Sequence, residues 1–144
     1  MRHTLVDTSV LVEYLKRQQE SRFVNIQPPS EWRYPLINPI IFSEVVYVAM
    51  GFLSGRAPRT IKGNPERLPD SLDTVFMILP DYAFMEITRE SIAIAKRLIK
   101  EYAMFPNDAL ILATCIEHGF VLATLDEDFL EPAEGEGVRL VTGV

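Results

Sequence analysis

The chain has 144 residues, 48% of them hydrophobic, which is the size of one domain with room for a real core. Its 14 Lys and Arg against 20 Asp and Glu give a formal net charge of -6, which argues against holding nucleic acid by bulk electrostatics but leaves a local basic patch or a metal-bridged contact open. With one cysteine, Cys115, and two separated histidines, His3 and His118, the composition excludes a disulfide framework, a zinc cluster and a histidine-based metal site.

The opening residues, MRHTLVDTS, lack the apolar stretch of a signal peptide, and no apolar run reaches the ~20 residues of a membrane span. A cytoplasmic protein with no membrane association is expected. Thr4-Leu5-Val6 reads as a short buried strand, with Thr8 or Ser9 capping a helix from Val10 to Lys16. Asp7, at the strand's exit, is equally a helix cap or a metal ligand. Residues 17 to 35, polar and broken by Pro28, Pro29 and Pro35, read as a helix end and a loop, with Trp32 packed onto the body. Tyr34 to Ile37 forms a second strand. Asn38 as cap and Pro39 at the first helical position then open the helix PIIFSEVVYVAMGF, in which Glu44 is the only charge. A carboxylate on so apolar a helix needs a cation to answer it, either an arginine or a metal ion.

From Ser54 to Pro69, five Gly and Pro residues interrupt any regular element. Arg56, Arg59, Lys62 and Arg67 against Glu66 give +3 there (4 minus 1) and -9 for the rest (-6 minus 3). A mobile basic loop could draw in a phosphate backbone, the plainer alternative being a solvated loop. Ser71 to Leu79 reads as a short amphipathic helix ended by Pro80, and Phe84 to Ile87 as a third strand. Thr88 with Ser91 opens a helix to Tyr102. Pro106 and Asn107 start the next helix, with Asp108 in its first turn and His118-Gly119 as its stop; only Thr114 and Glu117 are polar between those signals, so it is buried. Phe120 to Thr124 reads as a strand covered on both faces, with Asp126 just past its carboxyl end. Phe129 to Pro132 ends the ordered pattern, Glu134 to Gly137 is an acidic turn, and Val138 to Val141 make a last strand. This alternation predicts a three-layer α/β/α fold with a mostly parallel, five-stranded sheet.

Asp7, Glu44, Asp108 and Asp126 can thus converge beyond the carboxyl ends of the strands, where open parallel sheets bind ligands. Carboxylates without histidine or cysteine favour a hard ion, Mg²⁺ or Mn²⁺, and such sites suit phosphoryl transfer. There is no glycine-rich phosphate loop and no Gly-x-Ser-x-Gly elbow. Asp7 as a phosphorylated nucleophile would want a second aspartate two residues on, where Ser9 stands.

VDTSVL at the N-terminus, Ser43-Glu44-Val45, the run NDALILAT, and Thr124-Leu125-Asp126-Glu127-Asp128-Phe129 together resemble the PIN domain family. The acids are separated by 37 (44 minus 7), 64 (108 minus 44) and 18 (126 minus 108) residues. Within that family the chain is most similar to the small VapC-type ribonuclease toxins of toxin-antitoxin pairs. The resemblance implies a single PIN-like domain over residues 1–144 and a metal-dependent endoribonuclease that leaves 5′-phosphate and 3′-hydroxyl ends. Asp7, Glu44, Asp108 and Asp126 would be catalytic and hold one or two Mg²⁺ or Mn²⁺ ions, with Asp128 as a further ligand and Thr8 and Thr124 supporting them. It also implies RNA as substrate, a homodimer, and a small antitoxin protein that offers a basic side chain to the acidic pocket. The Ser54 to Pro69 segment departs from the helical hairpin expected there. The alternatives are a nuclease of the same fold acting on DNA or structured RNA, and a catalytically inactive interaction module.

Overall fold

Short strands make the sheet, buried at its centre and exposed at one edge. Its strands are β1 (Thr4–Val6), β2 (Pro35–Ile37), β3 (Ala83–Phe84), β4 (Val121–Ala123) and β5 (Leu140–Val141). The computed structural model describes residues 2–20 and 32–141. The loop expected around Pro28 and Pro29 lies outside the described residues. All pairings are parallel and the strand order is β3-β2-β1-β4-β5. The chain therefore winds outward from β1 through β2 to β3, then crosses back to β4 and continues to β5. Right-handed crossovers in opposite directions put helices on opposite faces of the sheet, which accounts for the burial of β1 and β4 from both sides. The predicted three-layer α/β fold is the one found.

The helices are α1 (Thr8–Glu20), α2 (Pro39–Ser54), α3 (Pro58–Ile61), α4 (Leu72–Ile78), α5 (Arg89–Tyr102), α6 (Pro106–His118) and α7 (Leu130–Glu136). None of the helices described is long and apolar enough to cross a membrane. Helix α2 starts as its sequence says: the Asn38 side chain accepts the Ile41 N–H at 3.0 Å and Pro39 follows at the first position. Helix α6 ends at Gly119, whose φ of 72° is a left-handed conformation that other residues adopt only with strain. Between those ends Ala109, Ile111, Leu112, Ala113, Thr114 and Cys115 are all buried. Helices α5 and α6 are tied by polar contacts as well. Thr88 caps α5, and its hydroxyl and that of Ser91 both donate to Glu117 on α6, at 2.8 and 2.5 Å.

Three expectations need correction. Helix α1 begins at Thr8, so the capping place falls to Asp7, whose carbonyl accepts the Leu11 N–H at 3.1 Å. Thr8 and Ser9 are thereby freed to bond elsewhere. The segment from 54 to 69 is not devoid of regular structure: α3 and a 3₁₀ turn at Pro65–Arg67 shape it, and Ile61 is buried. Prolines at Pro58 and Pro65 start these turns rather than break them. The third surprise is α7, which occupies residues read as a pattern end and an acidic turn. Pro132 lies in its first turn, where no N–H is needed, and Gly135 faces Tyr102 so closely that a Cβ would strike the ring hydroxyl. The neighbouring Glu136 accepts from Tyr102 at 2.9 Å and pairs with Arg97.

Candidate active site

The chain reverses its winding direction between β1 and β4. At such a switch point the loops leaving the two strands part to opposite faces and leave a crevice at their carboxyl ends. Asp7 leaves β1 there, and its N–H still bonds Ala123 O of β4 at 2.9 Å. Asp126 leaves β4 two residues past its buried Thr124. Helix α2 starts from the same edge after β2 and presents Glu44 in its second turn, and α6 presents Asp108 in its first.

Asp7 is the most enclosed of these acids, only 4% exposed. Its Oδ2 accepts from the Ser9 and Thr124 hydroxyls, each at 2.8 Å. Burial nevertheless raises its carboxyl above the ordinary range, with Glu44 adding a smaller push. Glu44 is half-buried and is held by Thr8, whose hydroxyl donates to Oε1 at 2.7 Å, and by Asn107, whose amide donates to Oε2 at 3.4 Å. No Lys or Arg among the described residues forms an ion pair with any of the predicted site acids. The arginine alternative for Glu44 therefore finds no counterpart among them, and neutral donors take its place.

Asp108 registers the whole group. Its carboxyl is pushed up to about 6, first by burial and then by Asp126, Asp7, Glu44 and Asp128. It stands on the wall between two openings, one lined by Glu44, Phe105 and Asn107 and the other by Glu127, Asp128 and Glu131. Asp128 itself is exposed, and its N–H is spent on Asp126 Oδ1 at 2.9 Å. Among the described residues no three of these groups close to the tight grouping that ligates a metal. The donor set is nonetheless all oxygen, and it carries an excess of negative charge that a divalent cation would relieve.

A profile of the PIN domain matches residues 4–135. The chain belongs to the PIN domain family. It is similar to Ribonuclease VapC2 of Methanocaldococcus jannaschii, with 29% identity over 125 residues that cover 85% of this chain and 84% of that one. Among solved structures it resembles a toxin-antitoxin complex from Klebsiella pneumoniae, with a TM-score of 0.61, 23% identity and 96% of each chain covered. It also resembles a DNA-bound VapBC from Salmonella typhimurium, with a TM-score of 0.67, 18% identity, and 99% of this chain and 98% of that one covered. At these identities the structural likenesses establish the PIN fold.

Within this PIN domain the other four predicted acids all raise the Asp108 carboxyl, and the two predicted supporting threonines bond to members of the group, Thr8 to Glu44 and Thr124 to Asp7. Ser9 and Asn107 were not among the residues read as part of the site. Ser9 joins its strands, donating to Asp7 and accepting the Leu125 N–H at 3.0 Å. The repeated hydroxyls of the run Thr8-Ser9 were the available signal, absorbed by the helix-cap reading. The basic residues expected to meet a phosphate backbone lie elsewhere. Arg56, Arg59, Lys62 and Arg67 follow the far end of α2, and ten residues of helix put Ser54 roughly 15 Å along the axis from Glu44. Arg67 is also engaged locally, donating to Thr60 O at 2.7 Å.

Proposed function

We propose that this chain is a metal-dependent endoribonuclease and the toxin member of a toxin-antitoxin pair. The observation that carries the reading is the meeting of Asp7, Glu44, Asp108 and Asp126, from four separate elements, at the switch point of the sheet. The similarity to a protein named a ribonuclease supports the chemistry, and the likeness to toxin-antitoxin complexes supports the biological setting.

Asp7, Glu44, Asp108 and Asp126, with Asp128 at the mouth, are the residues that would hold Mg²⁺ or Mn²⁺. When bound, such an ion supplies activation of water and charge neutralisation for an in-line attack on a phosphodiester. Ser9 and Thr124 fix the Asp7 carboxylate from one side, and Thr8 and Asn107 fix Glu44 from the other. Such supporting bonds hold carboxylates in the orientation a ligand needs. Asp108, its carboxyl pushed up to about 6, holds a proton at mildly acidic pH and would give it up to an entering cation. A protein partner has a seat available. Beside the β3 edge an apolar groove opens between Ile37, Phe42, Phe76, Leu79, Tyr82 and Phe84, and an exposed patch of that kind supports association with an antitoxin or a second copy.

The test is cleavage of an end-labelled RNA by the purified chain in Mn²⁺ and in EDTA, beside a DNA of the same sequence. Cleavage of RNA in Mn²⁺ alone is expected, reduced by at least about 100-fold in Asp7→Asn. Preference for DNA would replace the substrate, and no cleavage of either would favour the inactive interaction module.

A further inference from the structure

On the rim of the sheet opposite the carboxylates, the residues leading into three strands are arginines. Arg2, Arg33 and Arg139 line a single cleft with Thr4, Val121 and Val141. The strand register brings them there. Thr4 stands opposite both Pro35 and Val121, and Leu122 opposite Leu140; stepping back along each strand sets Arg2 against Arg33 and Arg139 against Val121. All three side chains are exposed, and none forms a hydrogen bond or ion pair with the described residues. The acid that lines the adjoining groove, Glu136, is already taken by Arg97 and Tyr102. In a chain of net charge -6, three guanidinium groups lining one cleft with no carboxylate among its described lining residues suit an anion, and their planar forks match phosphate.

Beside them runs a line of rings. His3 lies 5.2 Å from Tyr34 and 5.8 Å from Phe120, and His118 stacks on Phe120 at 5.2 Å with planes 24° apart. Tyr34 at the outer end is 50% exposed and holds a φ of 46°, a left-handed backbone that costs a bulky residue strain. Phosphate donors next to an exposed ring are what single-stranded nucleic acid requires, since its backbone follows the cations while its bases stack on the rings. An acidic peptide would use the arginines and leave the rings without a role.

We infer that the amino-terminal rim of the sheet is a second RNA-binding surface, which grips a single-stranded stretch of substrate away from the bond being cut. This rests on the ribonuclease reading above. Five residues separate Arg2 from Asp7, roughly 17 Å along the strand direction, so a long RNA reaches both places and a very short one does not. The surface also gives an acidic protein a means of attracting a polyanion to its acidic crevice.

The experiment measures binding of a labelled single-stranded RNA of about 16 nucleotides by fluorescence anisotropy in EDTA, across salt concentrations. It compares wild type with the triple variant Arg2→Gln/Arg33→Gln/Arg139→Gln and with Tyr34→Leu. The triple variant should bind at least about 10-fold more weakly, with a log-log salt slope shallower by about 2, three phosphate contacts at about 0.7 each. Tyr34→Leu should weaken binding several-fold and leave that slope unchanged. An unfolding midpoint equal to wild type keeps the loss from being one of folding, and the single Arg139→Gln, with about a third of the slope change, serves if the triple variant does not fold. RNA binding indifferent to these arginines, no RNA binding by wild type, or an arginine-dependent grip on polyglutamate in place of RNA would each overturn the inference. Cleavage in Mn²⁺ is scored separately. Cleavage with arginine-indifferent binding sinks this surface alone, and arginine-dependent binding without cleavage sinks the nuclease reading alone.

Discussion

Asp108 carries the electrostatic signature of the crevice, and the sign of its effect on stability is fixed. Its folded carboxyl is pushed up to about 6 from an ordinary 3.8. Between those values the folded chain keeps a proton that the unfolded chain has released, so the metal-free protein loses stability as pH rises through that window. Replacing the carboxyl by an amide removes this penalty. We predict that Asp108→Asn stabilises the metal-free protein at pH 7 by about 1 kcal/mol after allowance for solvent screening, and by close to nothing at about pH 4. Denaturant titration in EDTA at both pH values decides it, and a destabilised variant at pH 7 would mean that the carboxylate has a favourable partner. The four principal acids stand out in the sequence because Asp7 and Asp126 follow strands, Asp108 opens a helix, and Glu44 is the only charge on an apolar one. Ser9 could not be assigned, because a serine at a strand-to-helix junction satisfies the capping preference before any tertiary partner is considered. Its bonds to Asp7 and to the Leu125 N–H, 116 residues away in sequence, exist only in the fold.

Between elements, the joint of α5 and α6 shows how capping and packing reinforce each other. Thr88 and Ser91 cap α5 and donate to Glu117 of α6, while His118 lies 3.3 Å from the same carboxylate. Burial alone would raise the Glu117 carboxyl, but the two hydroxyl donors outweigh it and hold it below its usual value of 4.5. A lowered acid contributes stability above its unfolded pKa and loses that contribution as pH falls through the folded one. Glu117→Ala should therefore cost about 2 kcal/mol at pH 7, the scale of hydrogen bonds to a charged group, and progressively less as pH falls through the lowered folded value. A loss independent of pH in denaturant titrations would assign the joint to packing alone. The sequence showed the Thr88 start of α5 and the His118-Gly119 end of α6, since caps are local. It hid α7, since Pro132 and Gly135 read as breakers until the first-turn position of one and the packing of the other on Tyr102 are known.

At the scale of the whole molecule, topology does what no local pattern could. The order β3-β2-β1-β4-β5 sets Asp7 beside a strand more than a hundred residues later and opens the crevice between them. Alternating strands and helices predicted the parallel sheet, but strand order, and with it the convergence of acids and of the rim arginines, follows from long-range pairing. The same topology separates charge: carboxylates gather at one end of the strands, and at the other lie arginines that have no ion-pair partner among the described residues. The central claim is that the carboxyl-end crevice takes up a divalent cation. Calorimetric titration of the metal-free chain with Mn²⁺ in buffers of different ionisation enthalpy tests it most directly. Saturable binding of one or two ions is expected, with a proton released at about pH 6 that disappears at about pH 8 and in Asp108→Asn. No saturable uptake, or uptake unaffected by Asp7→Asn and Asp108→Asn, would contradict the account.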